Sequence, residues 1–281
     1  MLKDGWFFED DMPFAVAIKV KGSLYTNKTK YQKIEILDSI TMGKVMLLDD
    51  KVMVSEKDEF YYHESITHPA LSIHSNPKKI MVIGGGDGGT VREVLKYKTV
   101  EEIELVEIDE EVISVSKKYF PEVACEFGNP KLKIKLNDAI EYVKNAKENS
   151  YDVILCDSTD PEGFAAGLIS KEFYKNAVKT LKENGIYICQ SGSLLIQEKE
   201  FKTSLENMRT AFKYVDGLVS IVPTYPGCVW SFLIASNKPL DKKIKHMPSG
   251  KTKYWNEEIH EKLFAKPTWL KEKYFSLQAV K

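Results

Sequence analysis

The chain lacks the usual marks of export, membrane insertion and metal binding. No apolar run approaches the roughly 20 residues of a membrane span, and the opening stretch MLKDGWFFEDDMPF holds no apolar signal core, so a cytoplasmic protein is expected. Cysteine is scarce: Cys125, Cys156, Cys189 and Cys228 stand far apart, with no metal-ligand spacing. They read as small buried hydrophobes in a reducing compartment. Five scattered histidines give no metal motif either, and no metal is expected. An excess of one charge sign is also missing. Lys and Arg number 40 and Asp and Glu 41, a net charge of −1 that exerts no general pull on nucleic acid or an anionic membrane. Repeats and low-complexity tracts are absent. At 281 residues the chain is long enough for one large domain with a smaller appendage.

Two styles of patterning are present. Between residues 14 and 55, AVAIKVKGSLYT, KYQKIEILDS, KVMLLDD and KVMVSE alternate apolar and polar residues as antiparallel strands do, with a tight turn expected in LDDKV. From about Phe60 the pattern changes. EFYYHESITHPALSIH is helical. Strands KIMVIGGG, EEIELVEID, KLKIKLND, YDVILCDSTDP and IYICQSGS then alternate with helices GTVREVLKY, EEVISVSKKYF, AIEYVKNAKE, SKEFYKNAVKTLKENG and EKEFKTSLENMRTAFK. GLVSIVPTYPG and VWSFLIASN close the series as a strand pair. The alternation implies a doubly wound, mostly parallel α/β sheet behind a small N-terminal antiparallel β-domain. The expected domains are 1–58 and 59–281. The polar tail from about Leu240 carries no clear pattern.

Gly84, Gly86 and Gly89 match G-x-G-x-x-G between a strand and a helix, a nucleotide-binding turn. The following strand ends in Glu107 and Asp109, about 20 residues on, where an acid accepts from ribose hydroxyls. Asp87, however, sits among the glycines. A dinucleotide would bring its pyrophosphate to this turn, and a carboxylate there repels it. A cationic arm is attracted instead, which points to an adenosine sulfonium. S-adenosylmethionine itself carries a carboxylate, so the acid favours the decarboxylated form, whose three-carbon arm ends in an amine. Asp87 also suits a helix N-cap, and the two roles are compatible.

Ligands of parallel sheets lie beyond the C-terminal strand ends. Asp138, before Ala139, ends one strand and suits either the exocyclic amine of adenine or an N-cap. Asp157 and Asp160, in DSTDP, end another, where turn chemistry is the plain alternative. The stretch offers no basic partner. Three carboxylates, Asp87, Asp157 and Asp160, converging without cationic neighbours call for a metal or a cationic ligand; an amine substrate fits the sulfonium better.

YHE, GGGDGG, VEID, NDA, DSTDP and PTYPG occur in this order, and from about Trp6 to Asn237 the chain resembles the spermidine synthases, polyamine aminopropyltransferases on a Rossmann-like, class I methyltransferase-like fold. The resemblance implies transfer of the aminopropyl group of decarboxylated S-adenosylmethionine to putrescine, giving spermidine and 5'-methylthioadenosine. The donor is a co-substrate and no cofactor is required. It further implies Asp157 as general base, with Asp160 beside it on the putrescine amine. Tyr62 and Tyr225 fall along the diamine path, and His63 and Asp87 at the aminopropyl arm. Gln32 falls at the nucleoside, Glu107 at the ribose, and Asp138 with Ala139 at the adenine. Homodimers or homotetramers built through the N-terminal β-domain are implied too.

Three residues depart from the family pattern. Glu162 and Phe164 stand after DSTDP, where the family has a small or apolar residue and then Gly-Pro. Cys228 ends PTYPGC where small residues are frequent. Another acceptor (agmatine, cadaverine or a longer polyamine) remains the main alternative. An S-adenosylmethionine methyltransferase, a non-catalytic binder and an NAD enzyme follow in that order.

Overall fold

The computed structural model describes residues 2–9 and 14–276; residues 1 and 277–281, the outer limits of the two expected domains, lie outside that range. The first sheet has six antiparallel strands in chain order: β1 (Leu2–Lys3), β2 (Trp6–Glu9), β3 (Val16–Lys28), β4 (Lys33–Ser39), β5 (Lys44–Leu48) and β6 (Lys51–Ser55). β4 and β5 are apolar on both faces because both faces are covered. Ile34, Ile36, Met46 and Leu48 pack on one side, and Leu37, Val45 and Leu47 on the other. The expected β5–β6 turn is present, with Asp49 and Asp50 at φ 47° and 62°, the left-handed pair of a tight hairpin. The β1–β2 hairpin was not expected, although its Asp4-Gly5 turn, at φ 52° and 76°, carries the same sequence signal.

Helix α1 (Glu59–Ile73) leads into the second sheet. There β7 (Lys79–Gly84), α2 (Gly89–Leu95), β8 (Glu102–Glu107), α3 (Glu110–Tyr119), β9 (Leu132–Leu136), α4 (Ala139–Asn145), β10 (Tyr151–Asp157), α5 (Lys171–Thr180), β11 (Leu181–Ser193), α6 (Glu198–Arg209), β12 (Tyr214–Ile221) and β13 (Val229–Ser236) follow one another. The spatial order is β12-β13-β11-β10-β7-β8-β9. The five strands from β7 to β11 are parallel, while β13 is antiparallel to β11 and β12 to β13. From β7 the chain winds outward through β8 and β9, then crosses to β10 on the other side. The reversal leaves a crevice between the C-terminal ends of β7 and β10, where such sheets bind ligands.

Alternation along β7 explains the two core layers. Ile80 and Val82 face α1 and α2, whereas Met81 and Ile83 face α5 and α6. Helix α3 turns instead toward the first sheet, seating Val112, Val115 and Phe120 on Ile34, Ile36 and Met46. This packing hangs the β-domain over the crevice.

Two expectations need correction, and the unassigned tail can be described. Helix α5 stops at Thr180, not at Gly185, and the next strand already starts at Leu181. Leu181 is buried opposite Tyr151, and Lys182 pairs with Asp152 at 2.9 Å, so tertiary contacts draw this turn's worth of helical pattern into extended chain. Only Cys156 and Cys189 are buried; Cys125 and Cys228 are exposed because they lie on loops outside both sheets. The tail, where no pattern was expected, holds defined elements as far as Phe275. The Glu64 carboxylate of α1 accepts the N–H groups of Lys253, Tyr254 and Trp255 at 2.6–2.8 Å, and α7 (Glu257–Phe264) follows. A helical turn Thr268–Leu270 continues as a π-type segment, Lys271–Phe275.

Candidate active site

All ten residues singled out above line one cleft of about 410 Å³ at the crevice: Gln32, Tyr62, His63, Asp87, Glu107, Asp138, Ala139, Asp157, Asp160 and Tyr225. The floor is made by close backbone approach. Gly84 pairs with Asp157 across β7 and β10, and the Gly85 N–H donates to the Asp157 carbonyl at 2.8 Å. A Cβ on Gly84, which sits at φ +70°, would lie 2.2 Å from that carbonyl oxygen. Only glycine allows the two strand ends to meet here.

Asp157 is buried at the end of β10 and accepts the Thr90 hydroxyl at 2.6 Å. Burial, reinforced by the Asp87 charge, pushes its pKa up to about 6, against the opposing pull of His63, Thr90 and the Tyr62 hydroxyl. Asp87 accepts the Gly89 N–H at 2.6 Å, while the N-cap position proper is Gly88, in the left-handed region. Burial alone would raise Asp87; the His63 charge and the Gly89 N–H outweigh it and hold the carboxyl below its ordinary value. His63 stands between two acids. Its Nδ1 lies 2.6 Å from Glu59, and its Nε2 makes an ion-pair contact with Asp87 at 3.1 Å, off the line of a good hydrogen bond. Burial disfavours the imidazolium, but Asp87 and Glu59 prevail and hold its pKa well above the ordinary value.

Two cations therefore face the acids, contrary to the expectation of carboxylates without cationic neighbours. One is His63. The other is Lys51 of β6, 3.8 Å from Asp160 and 3.0 Å from Glu162. Both come from segments remote in sequence from DSTDP. The cleft stays anionic nonetheless, with seven carboxylates lining it against Lys51 and His63. Ligand atoms of His63, Asp87 and Asp157 lie within 4.8 Å of one another, a spacing a metal could bridge.

The two acids ending β8 separate. Glu107 accepts the N–H groups of Ile108 and Asp109 through Oε1 and lines the cleft; burial pushes its pKa up to about 7. Asp109 caps α3 and accepts from Thr29 and Gln32 at 2.7 and 3.1 Å, tying the β-domain to the second sheet. Asp138 lines the cleft and also caps α4 by accepting the Ile140 N–H at 2.8 Å, so its two readings coexist. Asp160 accepts from Gln197 at 2.7 Å. The rings of Tyr62 and Tyr225 stand 5.7 Å apart, and the Tyr225 hydroxyl donates to the Met53 carbonyl. Glu162 and Phe164 occupy the mouth. Phe164, on the 3₁₀ turn Gly163–Ile169, is 61% exposed and meets the Tyr31 ring edge-on at 5.5 Å.

Pattern reading missed the side chamber and the supporting network. Glu9 and Gln197 join Lys51, Tyr62, Asp160, Tyr225 and Trp230 around a narrow extension of about 30 Å³. Behind His63, Glu59 takes both arms of Arg92 at 2.8 and 3.1 Å; Arg92 reaches Glu93, and Glu93 pairs with His68. The one sequence signal was a helix, α1, that carries Glu59, His63, Glu64 and His68 yet is apolar enough to be buried. Burial raises Glu59 and Glu93, but His63 and His68, each aided by Arg92, hold both carboxyls down to about 2. Depressed folded values mean that this stabilisation is complete above about pH 4.5 and is lost as pH falls toward 2. The contribution of Glu59 and Glu93 to the denaturant midpoint, read as the difference between the wild type and Arg92→Met, should be level from pH 7 to 5 and shrink below 4.5. Arg92→Met should be less stable at neutral pH and decline less steeply in acid. Parallel profiles would contradict the network.

A family model described as the spermine/spermidine synthase domain matches residues 59–245, and one described as the spermidine synthase tetramerisation domain matches residues 5–56. The polyamine aminopropyltransferase of Methanocaldococcus jannaschii is 44% identical over 276 residues, covering 95% of this chain and 94% of its own. That of Moorella thermoacetica is 38% identical over 270 residues, 95% of each. Among solved structures, a spermidine synthase in complex with the transition-state analogue AdoDATO superposes with a TM-score of 0.90 at 34% identity, covering 96% of this chain and 95% of that one. The Thermotoga maritima spermidine synthase gives 0.88 at 34%, with 95% and 93% covered.

Proposed function

This chain belongs to the spermine/spermidine synthase family of polyamine aminopropyltransferases, and we propose that it moves the aminopropyl group of decarboxylated S-adenosylmethionine to putrescine, releasing spermidine and 5'-methylthioadenosine. The observation that carries this function is the placement of Asp87 and Asp157 side by side at the strand crossover, one held ionised by His63 and the other poised near pH 6.

The reaction is a displacement at the carbon beside sulfur. The amine nitrogen forms the new C–N bond, the C–S bond breaks, and its electron pair returns to sulfur as the neutral thioether. No acid is needed at the leaving group. The nucleophile is the difficulty: an alkylamine, like lysine, has a pKa of about 10.4 and lacks a lone pair when protonated. Asp157 takes the surplus proton, and the fixed carboxylates favour the movement of positive charge from sulfur to nitrogen without rearranging. Asp87 draws the donor's terminal amine. Glu107 accepts from the ribose hydroxyls, Gln32 contacts the nucleoside, and Asp138 with Ala139 meets the adenine. In this scheme the donor is a co-substrate, and neither cofactor nor metal takes part.

Putrescine lies at the Tyr62 and Tyr225 end of the cleft, its methylenes and charge against the two rings and one amine beside Asp157 and Asp160. Phe164 covers the adenine side of the mouth in place of the family's Gly-Pro. Phe164→Ala should raise the donor KM about two- to tenfold, the worth of an aromatic contact, with kcat unchanged; an unchanged KM would contradict that placement. The tetramerisation-domain match over residues 5–56 supports a homo-oligomer, a homodimer or homotetramer built through the first sheet. Work in the cytoplasm agrees with the exposed thiols of Cys125 and Cys228.

The test is product identification by mass after incubation with decarboxylated S-adenosylmethionine and putrescine, cadaverine, agmatine or spermidine, with S-adenosylmethionine as control donor. Spermidine as the main product supports the proposal. A main product from another amine moves the acceptor, and methylated products overturn the transfer itself.

A further inference from the structure

A second cavity, of about 650 Å³, shares no residue with the reaction cleft. It lies at the opposite end of the sheet, where edge strand β12 begins: Tyr214 pairs with Ser236, Ser236 with Ile186, and Ile186 with Val153 near the N-terminal end of β10. Its walls come from the end of α6, the start of β12, the end of α7 and the terminal π-type segment. Five cations line it, Arg209, Lys213, Lys242, Lys266 and Lys271, against one carboxylate, Asp216. In a chain of net charge −1 this is a marked local excess.

Four of these cations, Arg209, Lys213, Lys242 and Lys271, are exposed, and the fifth is set into the fold. Lys266 has only 8% of its side chain exposed and pairs with Asp216, as does Lys242. Its burial lowers its pKa even beside that acid. Asp216 is thus occupied twice. Arg209, Lys213 and Lys271 have no carboxylate within ion-pair distance among the described residues. Arg209 is braced by donating to the Tyr274 carbonyl and by standing 5.6 Å over the Phe275 ring, which fixes its guanidinium at the rim. Phe212 and Phe264 supply buried apolar wall. Bracing a planar fork of donors beside two ammonium groups suits phosphate oxygens, which take such forks bidentately. The volume falls within the range of small-ligand sites.

We propose that this cavity binds a small polyphosphate anion of nucleotide size, independently of the aminopropyl-transfer cleft. The test is calorimetric titration of the full chain at low ionic strength with tripolyphosphate, in the presence and absence of saturating 5'-methylthioadenosine. The expected result is one tripolyphosphate per chain, unaffected by methylthioadenosine. A Lys213→Gln/Lys271→Gln double variant should bind about tenfold or more weakly, the loss of two charge-assisted contacts. Arg209→Gln should weaken binding by itself, and the exposed Lys202→Gln, outside the cavity, should change nothing. ATP binding more tightly than tripolyphosphate with methylthioadenosine present would identify the Phe wall as a base platform; equal binding would identify the phosphate chain as the whole ligand. No heat up to about 10 mM, far weaker than a specific site, would overturn the proposal. So would displacement by methylthioadenosine, or equal weakening by Lys202→Gln.

Discussion

Replacing Asp157 with asparagine is expected to lower kcat by about 10²–10⁴-fold, the usual worth of a general base, while donor affinity changes by only a few-fold. Asparagine fills the same space and still accepts the Thr90 hydroxyl, so the cleft keeps its shape. What it loses is the ability to take a proton from the docked amine. The pH profile carries a second signature. Burial and Asp87 raise the Asp157 pKa to about 6, so the carboxylate that accepts the proton exists above pH 6 and is lost below it. At saturating donor, where the ribose already occupies Glu107, the wild-type kcat should therefore show an acid limb centred near 6, and the Asn variant should lack it. His63, held protonated by Asp87 and Glu59, does not titrate there and so does not supply the limb. A limb that survives Asp157→Asn would assign it to another group.

Asp87→Asn should act on binding instead. The lost interaction is a charge-assisted one, worth about 1.5–3 kcal/mol, or roughly ten- to 150-fold in donor affinity. His63 remains paired with Glu59 and Arg92 remains on Glu59, so the network behind the site is not left with an orphaned charge. The change should also remove the repulsion that rejects a donor carboxylate. S-adenosylmethionine should bind the variant better than the wild type, even as the decarboxylated donor binds worse. Isothermal titration of both ligands against both proteins separates the effects. Parallel losses for the two donors would mean that Asp87 only shapes the glycine turn through its bond to the Gly89 N–H.

The second sheet and the cleft were largely legible in the sequence, because periodicity and strand-end position report directly on backbone geometry. GGGDGG between β7 and α2, Glu107 at the end of β8, Asp138 at the end of β9 and Asp157 at the end of β10 all arrive at one crevice once the strands are parallel. What the pattern concealed was anything made by approach across long sequence separations. Lys51 reaches Asp160 and Glu162 from another sheet, Arg92 reaches Glu59, and Gln197 reaches Asp160. No local spacing encodes such contacts, so the carboxylates looked unaccompanied when two of them were not. Asp109 shows a different failure. An acid two residues past Glu107 looks equally fit to meet a ribose, and only the start of α3 assigns it to the cap. The early end of α5 is an override of helix propensity by the burial of Leu181 and the Lys182–Asp152 pair.

The most direct test is competitive binding of decarboxylated S-adenosylmethionine and S-adenosylmethionine to the wild-type chain by calorimetry. The decarboxylated donor should win by about tenfold or more, the penalty of bringing a carboxylate against Asp87 and its neighbours. Equal affinity, or a preference for the carboxylated ligand, would show that the acids of this cleft do not select a cation and that the assigned roles of Asp87 and Asp157 are wrong.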